Sequence, residues 1–482
     1  MGMEKSKGLT EQKKRIIVYL AAVLVVLIWL PLSITKAVAY DQAYTAAMVR
    51  HSFGEIITLC SNDVHSPLYY FIAKIFYHLC LKQIFGLKIC SLFFMGFYLW
   101  MLAVPFRREF GHRMAFSMIV LSGVLPTFLT HNTEPRMYTM AIASYAAVVF
   151  LAYKIVKKFK VKYAVLFFLA SVFAVYIHTY TMLATVLLYL VLAVAVFAKK
   201  EDRAKRIPWF FINAVLVSLS YLPWLFSLMS QFTVKAEGTL REFDTVFYIK
   251  DILNECFSST TYPKKWQVAI WLVILAFSLV VLIIKKSKYL KLVLPGVAIL
   301  VIVSAIGIYL SLHNAPCFLG RYITCIMPWI LFAVAAAIGE FRTKAVGIAV
   351  LLLAMAAGVL VYRDRLRYEY EKGLDEYLAY IHENFDEEED AIIYADIHSN
   401  FLSIFAPEYY TYILGYEDDF NPYDNDEVFT KAEQMEQVKG SLYFICFNDK
   451  NPDWFMKSDY EQVYGFHYLF YDFSVYRILK IH

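Results

Sequence analysis

Residues 163–200 read YAVLFFLASVFAVYIHTYTMLATVLLYLVLAVAVFAKK. Two apolar runs flank one polar triplet, His178-Thr179-Tyr180. Lysines bracket the whole: Lys154, Lys157, Lys158, Lys160 and Lys162 before or at its start, Lys199 and Lys200 at its end. Apolar runs of this kind cross a hydrocarbon core of about 30 Å as helices, and cytoplasmic loops of membrane proteins collect Lys and Arg. The stretch therefore reads as two spans that enter and leave by the same face, with the lysines inside and His178 outside.

The rest of the chain extends this reading. Of 482 residues, 60% are hydrophobic and 18% charged, against about 25% charged in globular chains. The net charge of +5 conceals a split. Residues 1–362 hold 36 Lys+Arg and 15 Asp+Glu, a balance of +21; residues 363–482 hold 10 and 26, a balance of −16. The basic balance is the bias of membrane loops and implies no nucleic-acid partner. Ile16–Ile34 is too long for a signal-peptide core and no small-residue cleavage site follows, so it reads as a retained span.

Charge alternation then gives eleven spans, at about 16–37, 87–106, 114–130, 136–153, 163–178, 181–198, 208–229, 267–284, 292–311, 322–340 and 345–362. The N-terminus (Lys5, Lys7, Lys13, Lys14, Arg15) and the clusters Arg107 to Arg113, Lys199 to Arg206, Lys285 to Lys291, and Arg342 with Lys344 all fall inside. Residues 67–86 are apolar, but Lys74, His78 and Lys82 share one helical face. They read as an amphipathic helix along the membrane surface; counting them as a crossing breaks the charge rule at five consecutive loops. The expected organisation is a transmembrane domain, 1–362, followed by an acidic extracytoplasmic domain, 363–482. In the latter a helix-like Glu371–Asn384, an acidic turn Asp386–Asp390 and strand-like Ala391–Tyr394, Ser441–Phe447 and Tyr468–Ile478 point to a small α/β fold. The seven cysteines show neither CxxC pairs nor Cys/His ligand spacing, and a disulfide among the outer ones stays open.

The polar residues of the outer loops are the ones suited to chemistry. Asp41 follows the first span. Asp63 and His65 lie in Asp63-Val64-His65-Ser66-Pro67-Leu68-Tyr69-Tyr70. Glu134, Arg136 and Tyr138 occupy a very short turn, His178 and Tyr180 another, and Arg321-Tyr322 opens a span. Singly, Asp41 also reads as a solvated loop residue, Asp63 as a helix cap and Arg321 as an interfacial anchor. Together they deliver carboxylates, imidazoles and guanidiniums to one membrane face, where ionisable groups are costly and mark function.

These motifs resemble the GT-C glycosyltransferases, in the branch of the protein O-mannosyltransferases and the lipid A aminoarabinose transferases (family 39/83-like). The likeness rests on Asp41 in the first outer loop, on the Asp63, His65, Pro67, Leu68, Tyr69, Tyr70 run, and on Glu134, Arg136, Tyr138, and it covers about residues 10–362. Two departures stand out: the acidic pair of the first loop is Asp41-Gln42 here, and the usual H-P-P is His65-Ser66-Pro67. The resemblance implies a multi-pass enzyme of the plasma membrane. It would move a sugar from a polyprenyl-phosphate donor to a protein, lipid or cell-surface glycan at the outer face, with inversion. Asp41 is then the expected base, Asp63 the second choice. His65, Tyr69, Glu134, Arg136, Tyr138, His178, Arg321 and Tyr322 are expected to bind substrate and phosphate. Asp63, His65 and Glu134 carry ligand atoms suited to a divalent ion, but that branch is generally metal-independent, so no metal or other cofactor is expected. The alternative is a flippase for a lipid-linked sugar, which would more often show internal repeats and mid-membrane charges.

Overall fold

A computed structural model describes residues 10–234, 243–259, 263–313, 317–341, 343–395, 397–414, 422–423, 427–429, 438–447 and 453–480. Lys5, Lys7, Arg342 and the loop segments 235–242, 260–262 and 314–316 lie outside the described residues. The chain divides into two compact units. One comprises the chain up to Ile34, Val64–Tyr69 and Lys88–Arg365; the other comprises Thr35–Asp63, Tyr70–Leu87 and the chain from Leu366 onward.

The first unit is a helical bundle. Among the described residues nine helices are long and apolar enough to cross a membrane: Glu11–Ser33, Phe85–Phe110, Tyr138–Lys157, Thr179–Ala198, Arg203–Gln231, Lys265–Ile284, Leu290–His313, Gly320–Glu340 and Lys344–Asn384, whose apolar part is the helix Lys344–Glu369. Two further expected spans are shorter elements. Span 163–178 is the helix Val161–Val175. Span 114–130 is broken into His112–Val124 and Pro126–His131, which meet at Leu125 in an extended conformation (φ −66°, ψ 127°). The proline ring disfavours α geometry in the residue before it, and Pro126 then opens the next helix, where its missing N–H leaves no bond unmade.

Leu20, Val194, Phe226 and Ile284 stand exposed on the bundle, which suits a surface solvated by acyl chains and not one solvated by water. Inside, small residues let helices approach, as is usual between membrane helices. A Cβ on Gly296 would meet the Trp329 ring at 2.6 Å, and one on Gly123 would meet Val25 at 2.8 Å.

The second unit is built on a six-stranded sheet: β1 (Ala391–Tyr394), β2 (Tyr410–Leu414), β3 (Glu427–Phe429), β4 (Leu442–Phe447), β5 (Asp459–Tyr468) and β6 (Tyr471–Lys480), in the order β3-β2-β1-β4-β6-β5. The first four in that order run parallel; β6 and β5 close the sheet antiparallel. All four residues of central β1 are buried, as expected of a parallel strand covered on both faces. Asp390 ties the acidic turn to the sheet, accepting from the N–H groups of Ser441 (2.6 Å) and Asp386 (2.9 Å). The expected strand 468–478 is corrected: Tyr468 ends β5, a turn at Leu469 and Phe470 intervenes, and β6 starts at Tyr471.

Residues 35–63 and 70–87 cluster with this unit. The helix expected over 67–86 ends at Leu79, where Leu81 and Lys82 turn the chain at positive φ. Lys74 does not stand out to solvent; its ammonium donates to the carbonyls of Val49 (2.9 Å) and His51 (2.8 Å), which closes the end of the helix Tyr40–Met48. Tyr468 fixes the approach to that helix. Its hydroxyl donates to the Val38 carbonyl and accepts the Val38 N–H, both at 3.1 Å.

Candidate functional site

The ten expected residues fall into two groups, one in each unit. Each is described by itself.

In the bundle, one short turn organises the first group. Pro126–His131 ends at the turn 132–137, and Tyr138 starts the next span. Glu134 accepts from His131 Nδ1 at 2.8 Å and lies 3.9 Å from an Arg365 nitrogen. Its backbone carbonyl accepts from Ser91 Oγ at 2.7 Å. Burial would raise its pKa, but the His131 hydrogen bond and the charges of His131, Arg365 and Arg321 outweigh it and hold the carboxyl down at about 2. Glu134 is thus a fixed anion, wholly engaged in holding the turn. It is a poor proton acceptor and a good structural counter-ion.

Arg136, two residues on, points Nη2 at His65 Nε2, 2.9 Å away. A guanidinium cannot accept, so His65 Nε2 does, and His65 is neutral with its proton on Nδ1. His178 caps Thr179–Ala198, its Nδ1 accepting the Tyr180 N–H at 3.2 Å. Burial first, and then the charges of Arg136 and Arg321, push its pKa well below the usual imidazole value. His178 therefore offers an Nε2–H donor and no charge. The Tyr138 ring gathers these parts. It lies 4.6 Å from His131, 6.3 Å from His178 and 6.5 Å from Tyr322, with the Arg321 guanidinium 5.9 Å from its centre. Tyr322 in turn lies 4.7 Å from His178. Tyr69 belongs to the same unit and is buried.

Three more residues of the bundle belong here that the sequence reading passed over. Arg365 is 3% exposed and donates Nε–H to Thr133 Oγ1 at 2.7 Å. It lies three residues past the expected last span, where Arg363-Asp364-Arg365 reads as an ordinary interfacial run. Asp251 accepts the Gly320 N–H at 2.6 Å. Burial raises its pKa against the Gly320 bond and the Arg321 charge. Lys88 is 0% exposed, a rarity for lysine. It precedes Ser91 by three residues on one helix, a spacing that puts both on one face, and Ser91 touches the Glu134 turn. A lysine in the first turn of an apolar span was the available signal.

The second group is a pair of carboxylates linked by a tyrosine. Asp41 lies in the first turn of Tyr40–Met48, half-buried. Asp63 ends Phe53–Asn62 and is 7% exposed. Tyr44 donates its hydroxyl to Asp63 Oδ2 at 3.1 Å. Tyr44 follows Asp41 by three residues, hence on the same helical face. Burial and the Asp63 charge push the Tyr44 pKa well above its ordinary value, so the phenol keeps its proton and serves as a donor. Gln42 is spent elsewhere: its carboxamide oxygen accepts the Ala39 N–H at 3.1 Å and caps its own helix. That is the structural meaning of Asp41-Gln42 in place of two acids, and it leaves Asp41 as the carboxylate at this place. Among the described residues no three His, Cys, Asp or Glu side chains converge as a metal site. All seven cysteines are free thiols.

No protein-family model matches the chain, and no curated protein matches it. Two crystal structures of ArnT from Cupriavidus metallidurans share its fold, one in the apo state and one bound to undecaprenyl phosphate. Each aligns with a TM-score of 0.65 at 12% sequence identity, over 95% of this chain and 97% of the other.

Proposed function

We propose that the chain is an integral-membrane glycosyltransferase that takes a sugar from a polyprenyl-phosphate carrier. The observation that carries this is the cluster around Tyr138. Arg321 and Arg365 act on the fixed carboxylate Glu134, Arg321 also acts on Asp251, and Arg136 and the buried Lys88 belong to the same unit. Guanidiniums at one end of an apolar bundle suit an anionic headgroup on a lipid tail, because they meet phosphate with paired donors. An ArnT structure of the same fold is bound to undecaprenyl phosphate, which supports this reading. The lysine-rich ends of the spans lie away from this cluster, so the positive-inside rule puts the cluster on the outer face and the N-terminus inside.

The reaction is one displacement. An acceptor hydroxyl oxygen bonds to the anomeric carbon as the bond from that carbon to the phosphate oxygen breaks. The bonding pair leaves with polyprenyl phosphate, whose charge Arg136 and Arg321 stabilise while the His178 Nε2–H donates. The hydroxyl proton passes to Asp41, with Asp63 held by Tyr44 as the second carboxylate. The carbon is attacked opposite the leaving group, so its configuration inverts. No step is assigned to a metal.

The test uses purified protein, polyprenyl-phosphate sugar labelled in the sugar, and a membrane extract as the source of acceptors. Label leaving the lipid for an acceptor, and ceasing to do so in a folded Asp41→Asn variant, supports the reading. Movement of intact carrier across vesicles without cleavage makes the chain a flippase instead.

A further inference from the structure

The bundle holds a second feature, far from Arg136 and His178. A cavity of about 460 Å³ lies among the helices Phe85–Phe110, Tyr138–Lys157, Thr179–Ala198, Leu290–His313 and Gly320–Glu340. On two spans its walls come from the half distant from the cluster, Tyr145 to Lys157 on one and Leu188 to Ala195 on another; on Gly320–Glu340 they run from Cys325 to Phe332. The lining is mainly apolar and also includes three tyrosines, Tyr98, Tyr145 and Tyr153, and two lysines, Lys157 and Lys291. Lys157 shares the Glu109 carboxylate with Lys154, so that trio keeps one net positive charge; Lys291 is exposed and adds another.

The mouth is basic and firmly built. Residues 285–291 read KKSKYLK. Ser287 donates its hydroxyl to Glu340, and Trp329, part of the cavity wall, donates Nε1–H to the Leu292 carbonyl at 2.6 Å. Tyr289 lies 6.3 Å from Phe110 and 5.8 Å from Phe332, both of which line the cavity, and the Lys288 ammonium stands 5.1 Å from the centre of the Tyr289 ring. A dry cavity of this kind attracts apolar chains and not water. Basic pockets between membrane helices attract anionic headgroups.

We propose that this cavity and the 285–291 loop bind one anionic phospholipid, an acyl chain in the cavity and the phosphate on Lys288 and Lys291. This site is separate from the one around Tyr138. Tyr138 and Lys157 end a helix of 20 residues, about 30 Å long, so one carrier phosphate cannot serve both ends. The inference does not depend on the reaction proposed above.

The test reconstitutes the full chain into bilayers of equal phosphatidylglycerol and phosphatidylcholine, extracts it in mild detergent, and counts retained lipid by native mass spectrometry. One phosphatidylglycerol per chain is expected, in preference to phosphatidylcholine. That preference should drop about five-fold for each of Lys288→Gln and Lys291→Gln. Ala146→Phe, which fills the cavity, should lose both lipids with helix content unchanged by circular dichroism. Equal retention of the two lipids by the unaltered protein overturns the proposal, as does retention indifferent to both lysine changes. Preferential retention of added undecaprenyl phosphate also overturns it and gives the cavity to a polyprenyl tail. The competition on the unaltered protein decides the matter even where a variant does not fold.

Discussion

Arg136 donates to the unprotonated Nε2 of His65 across 2.9 Å, although 71 residues separate them in the chain. The bond fixes the tautomer of His65 and points the guanidinium, so the E-x-R-x-Y turn and the H-x-P-L-Y-Y run act as one unit. The phosphate-binding roles proposed for them can be separated by kinetics.

Arg136→Lys keeps the charge and loses the paired donors. We expect kcat/KM for the lipid donor to fall about ten- to a hundred-fold, the worth of about 1.5–3 kcal/mol for a hydrogen bond to a charged group. His65→Ala should do less, because it leaves the guanidinium in place but unaimed. Unchanged donor kinetics in both variants would remove the pair from the phosphate site.

Asp41→Asn should lower kcat by about 10²–10⁴-fold, the usual contribution of a positioned general base, with KM for the donor little changed. Tyr44→Phe removes the hydrogen bond to Asp63 and should cost about 1.5–3 kcal/mol of stability. If Asp63→Asn abolishes turnover while Asp41→Asn spares it, the base is Asp63.

Glu134 gives a pH signature. Its pKa falls from 4.5 to about 2 on folding, about 3 kcal/mol at roughly 1.4 kcal/mol per unit. A depressed carboxylate stabilises above its unfolded value, so the contribution is full above pH 4.5 and disappears as pH falls from 4.5 toward 2. Glu134→Gln should therefore melt well below the unaltered protein at pH 7, and the gap should narrow at pH 3. A gap that stays constant across that range would show that the charge of Glu134 does not hold the turn.

Gly320 lies where two backbones meet. A Cβ there would come within 2.7 Å of the Asp251 carbonyl oxygen and the Ile252 Cα, which are backbone atoms that cannot step aside. Gly320→Ala should cost about 1–3 kcal/mol through overpacking and displace the neighbouring Arg321. Gly54, with nothing within 4 Å of its added Cβ, is the control, and Gly54→Ala should leave the melting temperature close to that of the parent. Equal melting of the two variants would refute the close approach.

The spans were legible in the sequence because long apolar runs between basic clusters have few other fates in water or lipid. That Glu134, Arg136, Tyr138 and His178 lie at or between the ends of helices was legible because their turns are too short to hide a charged or polar group. Pro126 announced the break in its span, but hydropathy alone runs straight through it. Arg365 and Lys88 were missed for a different reason: each is a cation at the edge of a span, where sequence reading assigns snorkelling, and only burial separates the two cases. Strands β2 and β3 went unread because five and three residues give too few alternations to count. That 35–63 would join the C-terminal residues is a matter of tertiary contact, to which periodicity is blind.

The double hydrogen bond between Tyr468 and Val38 sets a timetable. During synthesis the segment that leads into Asp41 leaves the ribosome early, yet the phenol that clamps it is made 430 residues later. Until then the segment leading into Asp41 lacks that clamp. A chain cut short before residue 468 would keep its expected spans and lose this clamp, so the segment leading into Asp41 would lack one of its fixed points.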